Sequence, residues 1–245
     1  MNKIKWILGI VLTAAILAVS PVGAWMSVTV CGCQGDDCST PQLGNVMNEG
    51  FLGTGYELSW TETIGDGAVD EDFALSGTPP AYSCTEGVNI TSGPTETYTT
   101  WDNGEPISRS GAIDIYLELY IDDVTLADSG IGIIADWFSG SSSPISLVIQ
   151  NTGGTYHLFA SGATDSTPAA IAKDTWYRIK IHSDPTAENS YFQILEVATC
   201  DEASECTFSR SATVDGRYLR IGAPVGWGTG ESIDVEFGYV NINTP

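Results

Sequence analysis

From Ile113 to Asp122 apolar and polar residues alternate without a break. Ile113, Ile115, Leu117, Leu119 and Ile121 fall in one set, and Asp114, Tyr116, Glu118, Tyr120 and Asp122 in the other. Side chains along a strand point alternately to its two faces, so this run predicts a strand with one face in a core and the other open. "ISLVIQNTGGTYHLFA" predicts a hairpin turning at residues 151–154, where glycine permits positive φ. "TWYRIKIHSD" and "SYFQILEVATC" predict a second pair, and "GRYLRIGAP" and "SIDVEFGYVNI" the closing strands. "SGSSSP", from Ser139 to Pro144, reads as a surface loop. There is no long amphipathic helical pattern and no internal repeat. Short strands joined by glycine-rich turns predict an all-β fold, a two-sheet antiparallel jelly roll or sandwich.

The first 24 residues break this pattern. Lys3 and Lys5 precede an apolar run from Trp6 to Ser20, then Pro21, Gly23 and Ala24. That order predicts a secretory signal over residues 1–24 and a secreted or cell-surface protein. The uncharged stretch extends to Asp36, long enough for an uncleaved anchor, but Pro21, Gly23, Ser27 and Thr29 favour cleavage. Residues 25–45 read as a cysteine-containing segment and linker, and 46–245 as one domain. Its start, "WMSVTV", alternates as a strand would; it either joins its own sheet or adds to the sheet edge of another copy, as in a homo-oligomer or filament.

Export changes the reading of the cysteines. Cys31, Cys33, Cys38, Cys84, Cys200 and Cys206 are even in number, which predicts three disulfides. Cys200 and Cys206 flank "DEASE" and are expected to bridge locally. The other four pair among themselves, without a Cys31–Cys33 bridge, whose spacing is too tight. A four-thiolate metal site is the alternative, with the wrong spacing and compartment.

Charge narrows the partners. Nine Lys and Arg against 31 Asp and Glu give a net charge of −22. Such a chain repels phosphate backbones and anionic lipid heads, so neither nucleic acid nor, after signal cleavage, a membrane is expected as partner. The histidines, His157 and His182, lie on separate predicted strands. "HSD" at His182–Asp184 cannot be a triad alone, because neighbouring strand residues face opposite ways. No H-E-x-x-H, P-loop or dinucleotide-binding motif occurs.

"NEGFLGTGYELSWTET", "WYRIKIHSD", "YLRIGAP" and the final "VEFGYVNI", in that order, resemble the concanavalin A-like lectin/glucanase superfamily, nearest its laminin-G-like non-catalytic jelly-roll members. The likeness runs from about Asn45 to Asn243. It implies two antiparallel sheets, one concave, with carbohydrate a frequent ligand. Retaining glucanases of the superfamily place Glu, Asp and Glu on one strand face. Here Ala112 stands where the first Glu would be and Tyr116 lies between Asp114 and Glu118, so these acids are expected only to solvate the strand. The resemblance also implies a calcium ion between an early Glu and a late Asp. Glu49 fits the first; Gly238 falls near the second, leaving Asp234 or Glu236 to compensate. "GDGAVDED", with Asp66, Asp70, Glu71 and Asp72, offers further oxygens without EF-hand spacing.

Sugar recognition needs aromatic plates beside carboxylates and amides. Trp101, Asp102 and Asn103 gather all three in an expected loop with Gly104. Tyr116 and Tyr120 occupy the polar face of their strand, and Asp136, Trp137 and Trp227 are expected at a rim. Trp60 and Trp176 are expected in the core. Asn89-Ile90-Thr91 is a glycosylation sequon. The expected function is a secreted, non-catalytic glycan-binding protein with no catalytic residues; a structural or filament-forming surface protein and a divergent glycoside hydrolase are the alternatives.

Overall fold

The computed structural model describes residues 58–77, 79, 86–107, 112–139, 142–184, 190–195, 207–208 and 216–244, with the backbone of 45–49. The expected signal, the "WMSVTV" strand and all six cysteines lie outside the described residues. The strands are β1 (Asn45–Glu49), β2 (Trp60–Thr63), β3 (Ala68–Ala74), β4 (Glu86–Ser92), β5 (Thr97–Ile107), β6 (Ile113–Thr125), β7 (Ile131–Ser139), β8 (Ser142–Thr152), β9 (Thr155–Ser161), β10 (Ala169–Ile171), β11 (Thr175–Ser183), β12 (Ser190–Leu195), β13 (Thr207–Phe208), β14 (Gly216–Ala223) and β15 (Ser232–Asn243). Among the described residues there is no helix long and apolar enough to cross a membrane.

They form two antiparallel sheets. One has eight strands, in the order β13-β12-β11-β6-β15-β4-β3, with β1 also paired to β15; the other has seven, in the order β10-β9-β8-β7-β14-β5-β2. This is the jelly-roll sandwich that the alternation predicts. The apolar set of β6 faces the other sheet: Ile113, Leu119 and Ile121 are fully buried. Alternation breaks on β15, which is buried along most of its length. Bulges at Asp234/Val235 and Phe237/Tyr239 reset its register against β6, so the period-two pattern is interrupted twice.

The β8–β9 hairpin closes where glycine predicts. Gly153 and Gly154 have φ of 61° and 87°, between the paired Thr152 and Thr155. Positive φ at both central residues gives the tight turn that suits the strand twist. "SGSSSP" is a different case: Ser139 ends β7, Ser142 begins β8, and the two pair. Ser139 and Ser142 belong to paired strands rather than to a free surface loop.

The seven-stranded sheet gathers tryptophan on its inner face. Trp60 pairs with Trp101, Trp101 with Leu219, Leu219 with Trp137 and Trp137 with Ile145. Paired residues of antiparallel strands share a face, so these five form one row into the core. Trp101 and Trp137 are 7% and 1% exposed. Burial of such rings is a large part of what holds the two sheets together.

Candidate functional site

The outer face of the eight-stranded sheet carries the polar set of β6 and, through register, two rows that cross the strands. In the first, Tyr191 pairs with His182, His182 with Asp114, and Asp114 with Asn243. In the second, Gln193 pairs with Lys180, Lys180 with Tyr116, and Tyr116 with Asn241. Asn48 and Asn45 of β1 stand at the next register positions, opposite Asn241 and Asn243. Strand spacing makes each row roughly 19 Å long.

The side chains are already engaged with one another. His182 Nδ1 lies 2.5 Å from Asp114 Oδ1, and Lys180 Nζ lies 3.7 Å from Asp114 Oδ2. The imidazole stacks on Tyr191, centroids 4.8 Å apart and planes 21° apart. Lys180 sits 5.5 Å from the Tyr116 ring centroid and 5.4 Å from that of Tyr191. Burial opposes its charge, but the Tyr191 side chain and the Asp114 carboxylate outweigh that, so the ammonium is held above the ordinary lysine value. Burial, then the Asp114 charge, push the Tyr116 phenol up and keep it protonated. One row further, Glu118 and Arg178 pair across β6 and β11, and both are buried. Glu118 is 1% exposed, which corrects the expectation that it solvates an open strand.

Such a face has definite chemical capacity. With Nδ1 turned to Asp114, His182 is held in one orientation and its other ring nitrogen, Nε2, is the one left to meet a ligand. Tyr116 offers a phenol as donor. Lys180 offers a fixed cation, and Gln193 and Asn243 offer amides to hydroxyls.

The other expected contacts do not meet there. "WDNG" is part of β5 rather than a loop. Trp101 turns into the core. Asp102 turns out and takes a two-point contact from Arg217, Nε at 2.6 Å and Nη2 at 2.8 Å. That guanidinium, opposed by slight burial, holds the carboxyl below the ordinary aspartate value. The Asn103 side chain lies outside the described residues. Trp137 is core, not rim, and its neighbour Asp136 is buried under Arg220. Trp227 is 6% exposed and lines a small apolar groove with Ile131, Phe159 and Val225, on the seven-stranded sheet's side. Of the six expected contact residues only Tyr116 lies in the polar rows. Trp176 is half-buried on the outer face, not in the core.

Glu49 and Asp234, the expected calcium ligands, stand far apart in the sheet register. Glu49 pairs with Val240, six positions along β15 from Asp234, roughly 20 Å away. Asp234 Oδ1 instead accepts a hydrogen bond from Asn89 Nδ2 at 2.7 Å. The same bond occupies the amide nitrogen of the sequon, which sits in mid-strand. Asp66 is a brace: its carboxylate accepts the backbone N–H groups of Gly93 and Thr95. Among the described residues no three His, Cys, Asp or Glu side chains gather at metal-binding distance.

The register carries signals that the sequence pattern alone does not. Lys180, His182, Tyr191, Gln193, Asn241 and Asn243 become a site only when β11, β12 and β15 are aligned with β6.

No family model matches the chain. No curated protein matches it either. Solved structures do. One is the conserved carbohydrate esterase of the Shiga toxin-encoding bacteriophage phi24B, with 11% identity, 82% of this chain and 98% of that one covered, and a TM-score of 0.53. Another is the globular domain of T. cruzi calreticulin, with 10% identity, 82% and 88% covered, and a TM-score of 0.50. A third is an alginate lyase from Klebsiella pneumoniae, with 10% identity, 71% and 98% covered, and a TM-score of 0.48. The first of these structures corrects the expectation that the chain is not an enzyme. A structure matched over nearly its whole length is named as a carbohydrate esterase. The pairing of His182 with Asp114 and the burial of Glu118 also remove the argument that the acids of β6 are mere solvation. The chain has the concanavalin A-like jelly-roll fold that its sequence resemblance implies.

Proposed function

We propose that the protein is carbohydrate-active and engages a polysaccharide across the outer face of the eight-stranded sheet, over the two rows that run from β12 to β15. The observation that carries this reading is the cluster of Asp114, Tyr116, Lys180, His182 and Tyr191 on adjacent strands. Aromatic edges, amides and a fixed cation suit sugar hydroxyls and carboxylates. Only nine Lys and Arg occur in the whole chain, yet Lys180 stands with His182 on this strand face. A polymer that carries carboxylates, such as a polyuronate, is therefore the favoured ligand. His182, oriented by Asp114, is the group placed to take or give a proton at the bound sugar. The matched carbohydrate esterase supports carbohydrate chemistry in this fold. The N-terminal apolar run supports an extracellular setting.

The test uses the full chain with an unbranched polyuronate and a neutral β-glucan. Binding is read by calorimetry and cleavage by new reducing ends. The expected result is binding of the polyuronate over the glucan, with release of ends that His182→Ala abolishes and binding that Lys180→Ala weakens. Failure to bind either polymer would overturn the reading.

A further inference from the structure

After β3 the chain turns back over the outer face of the eight-stranded sheet. Leu75 lies against β4 and β15: a Cβ on Gly87 would stand 2.5 Å from Leu75 Cδ2, and one on Gly238 would stand 3.3 Å from Leu75 Cδ1 and 2.9 Å from Pro79 Cγ. Two glycines thus leave the room that Leu75 and Pro79 fill. Between them, Ser76 is held at both ends of its backbone. Its N–H donates to Glu236 Oε2 at 2.8 Å, and its carbonyl accepts from Trp176 Nε1 at 2.9 Å. Glu236 and Trp176 are the two register partners of Tyr120, one on each side. Ser76 therefore crosses β6 above Tyr120, where the Trp176 and Tyr120 rings meet with centroids 5.4 Å apart.

This crossing runs in the same direction as the two polar rows and beside them. Tyr120 is four residues from Tyr116, roughly 13 Å along the strand. We infer that residues 75–77 and Pro79 form one long wall of the polysaccharide cleft, latched by Glu236 and Trp176, and that this wall selects against ligands carrying substituents on that side. The inference rests on the cleft reading above. Glu236 and Trp176 act through Ser76 and touch no sugar; they are positioning residues. Glu236 is 1% exposed, so the latch is a buried hydrogen bond that is lost when the acceptor at this position is removed.

The test compares wild type, Glu236→Ala, Glu236→Gln and Trp176→Phe as full chains. Hydrogen exchange at the Ser76 amide reads the latch without any sugar. Binding of an unbranched polyuronate and of its O-acetylated form reads the wall. Glu236→Ala is expected to speed Ser76 exchange by roughly 10–100-fold and to raise the relative affinity for the acetylated polymer by a similar factor. Glu236→Gln keeps an acceptor and should stay near wild type in both. Trp176→Phe keeps the ring but loses its donor; it should loosen selectivity even if Glu236→Ala fails to fold. Unchanged Ser76 exchange in Glu236→Ala would refute the latch. Faster exchange with unchanged selectivity would refute the wall while leaving the cleft standing. A wild type that binds neither polymer would refute the cleft and the wall together.

Discussion

His182 Nδ1 lies 2.5 Å from Asp114 Oδ1, across a strand boundary and 68 residues away in sequence. The pair is half-buried and shares its carboxylate with Lys180. Asp114→Asn keeps the shape and removes the charge. We expect polyuronate cleavage to fall about 100-fold or more, because the imidazole loses the group that orients it. Affinity should fall far less, since Tyr116 and the amide row remain. Steady-state kinetics beside a binding titration separates the two; equal losses in both would count against a proton-handling role.

Trp101 has the opposite character. It is 7% exposed in a row with Trp60 and Leu219. Trp101→Ala should cost about 3–5 kcal/mol of stability. The folded fraction should bind polysaccharide as wild type does. Chemical denaturation and a titration at low temperature check both parts. A stable variant with weak binding would put Trp101 back in the ligand site.

Gly132 tests the packing of the loop after β14. A Cβ there would fall 2.4 Å from Trp227 Cζ2. Gly132→Ala must push the indole out or shift β7, at a cost of about 1–3 kcal/mol. A red-shifted tryptophan emission together with a lower denaturation midpoint is expected; an unchanged midpoint would show that the contact is not tight.

Burial raises Glu236 above the ordinary glutamate value of 4.5, and the Asp122 and Asp234 charges add to the rise, against the Ser76 hydrogen bonds. The folded chain thus holds this proton more tightly than the unfolded one. Its favourable contribution is complete below pH 4.5 and is lost as pH climbs through the folded-state value. Glu236→Gln carries no such titration. Its stability relative to wild type should therefore rise as pH increases above 4.5. Denaturation curves of both proteins from pH 4 to 8 read the difference; a flat difference would contradict the raised value.

The strands were legible in the sequence because alternation is a local signal. β6, the β8–β9 hairpin and the β11–β12 pair all follow from it. The site was less so. Period two separates Trp101 from Asp102 but does not say which of them faces the core. Asp-Asn-Gly at 102–104 reads as a turn. In the fold, Gly104 does take φ of 81° and its N–H does bond to Asp102 Oδ1, yet β5 continues through it. Tyr116 was legible because its strand was. Asp114–His182 and Glu118–Arg178 were not, because cross-strand register depends on long-range pairing that no local pattern encodes. The strap over Tyr120 depends on glycines one and two strands away, at Gly238 and Gly87.

The central claim is that a polysaccharide lies across the outer face of the eight-stranded sheet. The most direct measurement is amide chemical-shift mapping of the full chain during titration with a short polyuronate oligosaccharide. Shifts are expected at Asp114, Tyr116, Lys180, His182, Tyr191 and Asn243, and none at Tyr98, Phe138 and Tyr218, on the far side of the sandwich. Shifts confined to that far side, or absent throughout, would contradict it.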